Sequence, residues 1–244
     1  MRLKPSLIFA LLLLSPGAAI AKPTSNTPTP LPENRDPYAL FTEDATYISQ
    51  TLIMQLEHRR VDLQVPVEFF EDPWDRKNGF ADTAQLFRVE IGSFIPVSRP
   101  ETGRRNKLNV WNWMDFLIGD KIPLEQLAEF NVERWINGFD PDQDFSTYAR
   151  SVGPFGLATI LTVGKLPTKQ FQTDTYLSES PETGLTAVLR CGVPGGPPYP
   201  ICQHWFRAAG MDIELSYRRT ELPNWQALQE DVTKFLTCAT TSKT

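Results

Sequence analysis

Histidine is scarce in this chain of 244 residues: only His58 and His204 are present, and cysteine is limited to Cys191, Cys202 and Cys238. Imidazole and thiolate titrate and ligate metals most readily near neutral pH, so acid–base and metal schemes have few groups to draw on. No Cys-x-x-Cys occurs, and no second Cys/His pair is present to complete a zinc site. The absence of Gly-x-Ser-x-Gly removes the nucleophile turn of the α/β-hydrolases. Residues 192–196 are rich in glycine, but no lysine follows, and the neighbouring prolines lack the backbone N–H groups that cradle a phosphate. Positive charge is in deficit, with 24 Lys+Arg against 29 Asp+Glu, which disfavours nucleic acid and anionic lipid. Long apolar runs are missing too. The longest, residues 7–14, falls well short of the ~20 residues that span a bilayer.

What is present begins with an address. Arg2 and Lys4 precede that short apolar run, and Ala19-Ile20-Ala21 supplies small residues where a signal peptidase cuts, so residues 1–21 read as a secretion signal and the mature chain starts near Lys22. No cysteine lies near the cut to take a lipid. A soluble periplasmic or secreted product is therefore expected, without stable membrane insertion. Its 22 basic and 29 acidic residues give a net charge of −7. Residues 22–35, dominated by Pro, Thr, Ser and Asn, read as a flexible lead. Residues 36–238 are long enough to bury one core as a single globular domain, dividing if at all into 36–140 and 155–238, and residues 239–244 form a tail. Export also favours a disulfide. Cys191 and Cys202 flank a turn-rich insert that brings neighbouring strands side by side, so they are the expected pair, and Cys238 is expected to be a small buried residue.

The apolar pattern changes period along the chain. Phe41, Ala45, Ile48, Leu52 and Leu56 recur at helical spacing, Asp36 stands in a capping position and Pro37 suits a first turn, which predicts a helix over 37–60. Residues 61–69 then alternate, as a half-buried strand near an edge does, because Pro66 cannot donate to a ladder. A second strand is expected at 86–91, paired with the first in a hairpin or separated from it by one strand. Residues 98–107 read as a basic loop carrying Arg99, Arg104, Arg105 and Lys107. The aromatic stretch 110–117 fits short helices better than a strand, and a helix is expected from Pro123. Residues 138–154 are polar and turn-prone, and mark the candidate boundary between halves. Five strands follow at 157–163, 173–178, 185–191, 202–208 and 211–219, before a helix with Trp225, Leu228, Val232, Phe235 and Leu236 on one stripe. The expected fold is α+β: a largely antiparallel sheet ending in a C-terminal β-meander, with an N-terminal helix, short middle helices and a C-terminal capping helix.

Candidate chemistry is thin. His204 reads most simply as a core or rim histidine, and His58 as a cation at a helix end. Asp140, Asp142 and Asp144 begin like a calcium loop, but Phe145 stands where the turn needs glycine and Ser151 where a bidentate glutamate is needed. Asp72, Asp75, Asp82, Glu179 and Glu182 are scattered carboxylates that a two-acid hydrolase would have to bring together. Trp111 and Trp113 would face the same way on a strand but differ by about 200° on a helix. With Arg104 and Arg105 nearby, and Pro197 and Tyr199 on a stiff loop, they are the candidate partner-binding residues. No catalytic residue, metal ligand or cofactor is assigned. The expectation is an exported soluble protein that binds another protein in the cell envelope, of inhibitor or immunity type. A carboxylate-based envelope hydrolase, with His204 as helper, and a glycan-binding module using the tryptophans stand as alternatives.

Overall fold

The computed structural model describes residues 31–33, 35–133, 149–160, 173–196 and 199–241, and two sheets form among them. β1 (Tyr47–Met54) and β2 (Arg59–Pro66) make an antiparallel hairpin, and the short β3 (Phe80–Asp82) lies parallel to β1 on its other side. The helix expected over 37–60 is thus corrected to a strand and a turn, with His58 in that turn at a left-handed φ of 50°. Gln50 explains the difference. Ile48, Gln50, Leu52 and Met54 are all buried, a period of two, but Gln50 is polar and donates to Gln85 Oε1 at 2.8 Å inside the fold. Read by hydropathy, Gln50 breaks the alternation, and Ile48, Leu52 and Leu56 stand at a spacing of four that imitates a helix. Leu56 is 63% exposed at the tip of the hairpin.

β2 is an edge strand, as Pro66 requires, and residues Val67–Phe69 tighten into a 3-10 turn rather than extending it. β4 (Ala84–Glu90) lies in the other sheet, so the two early strands neither form a hairpin nor flank a common strand. The expected basic loop is instead α1 (Arg99–Lys107). Ser98 caps it, Pro100 sits in its first turn, and Glu101 pairs with Arg104 and Arg105, yet its only buried residue is Thr102. A helix without an apolar stripe leaves no periodic signal. The aromatic stretch becomes β5 (Trp113–Gly119), whose Met114, Phe116 and Ile118 are buried on one face while Trp113 and Leu117 take the other. With apolar side chains on both faces its alternation is hidden in the sequence.

α2 (Leu124–Glu133) follows Pro123 as expected. β6 (Arg150–Val152), β7 (Ala158–Ile160), β8 (Thr173–Ser180), β9 (Gly184–Gly192), β10 (Ile201–Ala208) and β11 (Met211–Arg218) then run as an antiparallel meander. With β5 and β4 added beyond β11 the order is β4-β5-β11-β10-β9-β8-β7-β6. Ala209 and Gly210, at φ 49° and 75°, make the two-residue turn between β10 and β11, where positive φ at both positions matches the twist of the strands. A 3-10 turn over Arg219–Asn224 leads into α3 (Trp225–Thr240), which runs beyond the expected end at 238.

The inner face of the large sheet packs on α3 and on the β1–β2 hairpin. Phe235 of α3 stands at the centre of this core, with ring centroids 4.8 Å from Phe69, 5.5 Å from Phe87 and 5.5 Å from Phe116. On the outer face α2 covers the middle of the meander, burying Ala128 against Leu177, Val188 and Trp205. β4 and β5 meet α3 on the inner face, through Phe87 and Phe116. Part of the lead is anchored: Leu31 packs against the core, and Arg35 Nε donates to Asp231 on α3 at 2.6 Å. Residues 22–30 and 34 of the expected flexible lead lie outside the described residues. Residues 1–21 and 138–148 lie outside the described residues, as do the signal and most of the candidate boundary. Among the described residues no helix is long and apolar enough to cross a membrane.

Candidate functional site

β11 alternates strictly: Met211, Ile213, Leu215 and Tyr217 enter the core, so Asp212, Glu214, Ser216 and Arg218 take the outer face. Arg218 is the last residue of the strand and faces Ile201, the first of β10, which is 50% exposed. Trp113 opens β5 on the same outer face, opposite Glu90 of β4. Trp111, two residues earlier in extended chain, stacks on it with centroids 5.4 Å apart and planes 23° apart. Tyr199, two residues before Ile201 and 52% exposed, brings its ring to 5.2 Å from Trp111. The guanidinium carbon of Arg218 lies over both rings, 3.4 Å from the centroid of Trp111 and 4.5 Å from that of Tyr199. Three chain segments thus meet in one aromatic cluster around a cation.

The disulfide fixes one side of this cluster. Cys191 and Cys202 are bonded, lie directly opposite each other between β9 and β10, and are fully buried. The insert ending in Tyr199 and Pro200 is therefore held at its base by a covalent link.

Arg218 is electrostatically unusual. It makes no hydrogen bond or ion pair to a described residue, and its Nη2 is buried without an acceptor. Every other partly buried arginine among the described residues donates to an oxygen: Arg35 to Asp231, Arg59 to Glu57, Arg88 to Glu71 and Asp115, Arg105 to Glu90 and Glu101, Arg150 to Glu179, Arg190 to Asn131, Arg219 to Gly192. Burial pulls the pKa of Arg218 below its ordinary value, with the Tyr199 hydroxyl opposing that shift, but a guanidinium remains charged. Contact with the ring faces compensates it in part, by about 0.5–2 kcal/mol for such a pair.

Arg104 and Arg105 are not free cations. Arg104 is committed to Glu101, whose carboxyl is held down at about 2 by its bonds to both arginines. Arg105 also reaches Glu90 and the side chain of Asn112, so it fastens the backbone between the two tryptophans. Pro197 lies outside the described residues, as do Asp140, Asp142 and Asp144.

His204 is fully buried, with Nε2 3.0 Å from Gln229 Oε1 and Nδ1 3.4 Å from the Tyr217 hydroxyl; burial drives its pKa down to about 3. It is a neutral core residue. The scattered acids are not brought together: Asp72 and Asp82 bond their own turns, and Glu179 pairs with Arg150 at the far side of the large sheet. Other acids do converge, around a 680 Å³ hollow lined by Glu57, Lys121, Arg207 and Asp212. Burial raises the pKa of Asp212. Both its oxygens are nevertheless engaged, one by the Lys121 N–H at 2.9 Å and one by Arg207 at 3.2 Å. Glu57 likewise gives one oxygen to Arg207 and one to Arg59, and Glu214 gives one to Lys121 and one to Gln203. These carboxylates tie the hairpin to the large sheet. Cys238 is half-buried rather than enclosed.

Arg218 was not singled out by the sequence, where it reads as surface charge beside Arg219. The available signal was its place as the outward, final residue of an alternating strand, but the tryptophans it meets are over a hundred positions away.

No family model matches the chain, and no curated protein matches it. Among solved structures, the fold is similar to that of Smlt3025, an immunity protein of the Stenotrophomonas maltophilia type IV secretion system, at a TM-score of 0.55 and 13% identity, over 82% of this chain and 97% of that one. The Neisseria meningitidis iron-regulated outer membrane lipoprotein FrpD matches at a TM-score of 0.48 and 7% identity, over 88% of this chain and 98% of that one.

Proposed function

We propose that this chain is an exported soluble protein that binds another protein in the cell envelope, as an immunity-type inhibitor does, and that the surface around Trp111, Trp113, Tyr199 and Arg218 is its docking site. The observation that carries this reading is the cation of Arg218 lying over Trp111 and Tyr199 without an anion among the described residues, at an exposed end of the sheet. Trp, Tyr and Arg are the residues that dominate binding energy at protein interfaces, where they form clusters with an apolar centre. Exposed Ile201, opposite Arg218 in the ladder, extends the apolar area. The disulfide at the base of the Tyr199 segment lowers the ordering cost of binding. The expected signal at 1–21 supplies the compartment, and a net charge of −7 on the mature chain favours a protein partner over nucleic acid or anionic lipid. Likeness in fold to an immunity protein makes that class the first to test.

The test is co-purification from the envelope of the exporting cells, comparing the mature chain with Trp111→Ala and Tyr199→Ala variants of matched thermal stability. A protein recovered in stoichiometric amount with the first, and reduced at least tenfold with the variants, is the expected result. A stable monomer that captures nothing, or equal capture by all three, refutes the reading.

A further inference from the structure

The docking surface described above contains a charge that no described residue complements. We infer that Arg218 recognises a carboxylate, carried by an aspartate or glutamate of the protein partner and flanked there by apolar side chains. This rests on the reading of the aromatic cluster as a docking site.

Among the described residues each other partly buried arginine meets an oxygen acceptor, so Arg218 is the exception there. Its Nη2 is buried without an acceptor, which costs stability and leaves the charge only partly compensated. Nε and Nη1 have no described partner and are not enclosed as Nη2 is, so either can donate to an incoming carboxylate oxygen in a charge-assisted bond while the guanidinium lies over the ring of Trp111. Trp111 and Trp113 add indole N–H donors that no described residue accepts.

Neighbouring acids do not compete for the position. Glu90, which lies beside Trp113, is taken up by Arg105, Asn112 and Ser93. Arg219, next in sequence, is paired with Asp174 at 2.6 Å and donates to Gly192 O. The surroundings also define what flanks the carboxylate. Tyr199 and Ile201 are exposed beside Arg218, so the complementary segment carries apolar residues next to its acid. A polyanion such as a lipid headgroup layer would instead meet the net charge of −7 of the mature chain, whereas a single carboxylate feels mainly the local cation.

The experiment uses displayed random twelve-residue peptides selected on the immobilised mature chain, with binders retained only if Trp111→Ala abolishes their binding. The expected result is that these peptides share an Asp or Glu next to apolar residues. Replacing that acid by its amide then weakens binding at least tenfold to the parent chain and less than twofold to Arg218→Gln, with Arg218→Lys between. Fluorescence and thermal melting verify that each variant is folded. Trp111-dependent peptides without a required acid, or an acid-to-amide loss as large against Arg218→Gln as against the parent, overturn the carboxylate assignment and leave the docking surface standing. If no selected peptide depends on Trp111, the docking surface itself falls, and the assignment falls with it.

Discussion

Removing the Cys191–Cys202 link is the perturbation whose cost follows most directly from the geometry. The two sulfurs sit in facing positions of β9 and β10, and the link closes a loop with a sequence separation of 11. In the chain-entropy treatment a loop of this size lowers the entropy of the unfolded state by roughly 9 cal/mol/K, or about 3 kcal/mol at 25 °C. For a chain of this length that corresponds to a fall in Tm of roughly 6–12 °C. Urea unfolding followed by circular dichroism, on the mature chain with and without a phosphine reductant and on a Cys191→Ala/Cys202→Ala variant, measures it. The reduced protein needs no new side chain in the core, so it isolates the constraint from packing changes. Its m-value should also rise, because an unlinked chain exposes more surface on unfolding. A loss below about 1 kcal/mol with an unchanged m-value would show that the ladder between β9 and β10 holds these segments without the link, and would refute the reasoning.

Phe235→Ala removes the ring on which Phe69, Phe87 and Phe116 converge, and should cost about 3–5 kcal/mol in chemical unfolding. His204 is neutral in the fold, with a pKa of about 3 against about 6.5 when unfolded, so the unfolded chain takes up the proton first and stability falls as pH drops from about 6.5 towards 3. Between pH 7 and pH 4.5 this group should account for roughly 2–3 kcal/mol, a difference that His204→Gln removes from urea unfolding curves at the two pH values. Arg35→Ala leaves buried Asp231 without its partner, and should lower stability by about 2 kcal/mol and speed proteolysis near residues 31–36. Arg218→Gln, by contrast, should leave unfolding within about 0.5 kcal/mol of the parent, because the ring contacts it loses are offset by relief of the buried, unpaired Nη2.

The meander and α3 were legible in the sequence because their burial follows hydropathy: β11 alternates without exception, and Trp225, Leu228, Val232, Phe235 and Leu236 lie on one helical stripe. Elements that break this rule were not. β1 hides a polar Gln50 at an inward position, β5 is apolar on both faces, and α1 is held by a cap and ion pairs rather than by an apolar face. Cys191 and Cys202 were legible as a pair from the turn residues between them. Trp111, Trp113 and Tyr199 could be chosen as exposed aromatics, but their meeting with Arg218 depends on β5 and β11 being neighbours in the sheet. That pairing joins segments with no helical or hairpin signal between them, and so neither the cluster nor its unpaired cation could be read from local pattern.

Site-specific photo-crosslinking in the exporting cells tests the central claim most directly. A photoreactive residue replacing Tyr199 or Trp113 is compared with one replacing Leu56, which is equally accessible at the tip of the β1–β2 hairpin and lies outside the proposed site. The account predicts a single heterologous protein adduct at Tyr199 and Trp113, lost on Arg218→Gln, and none at Leu56. Adducts at Leu56 alone, or the same adduct at all three positions, would contradict it.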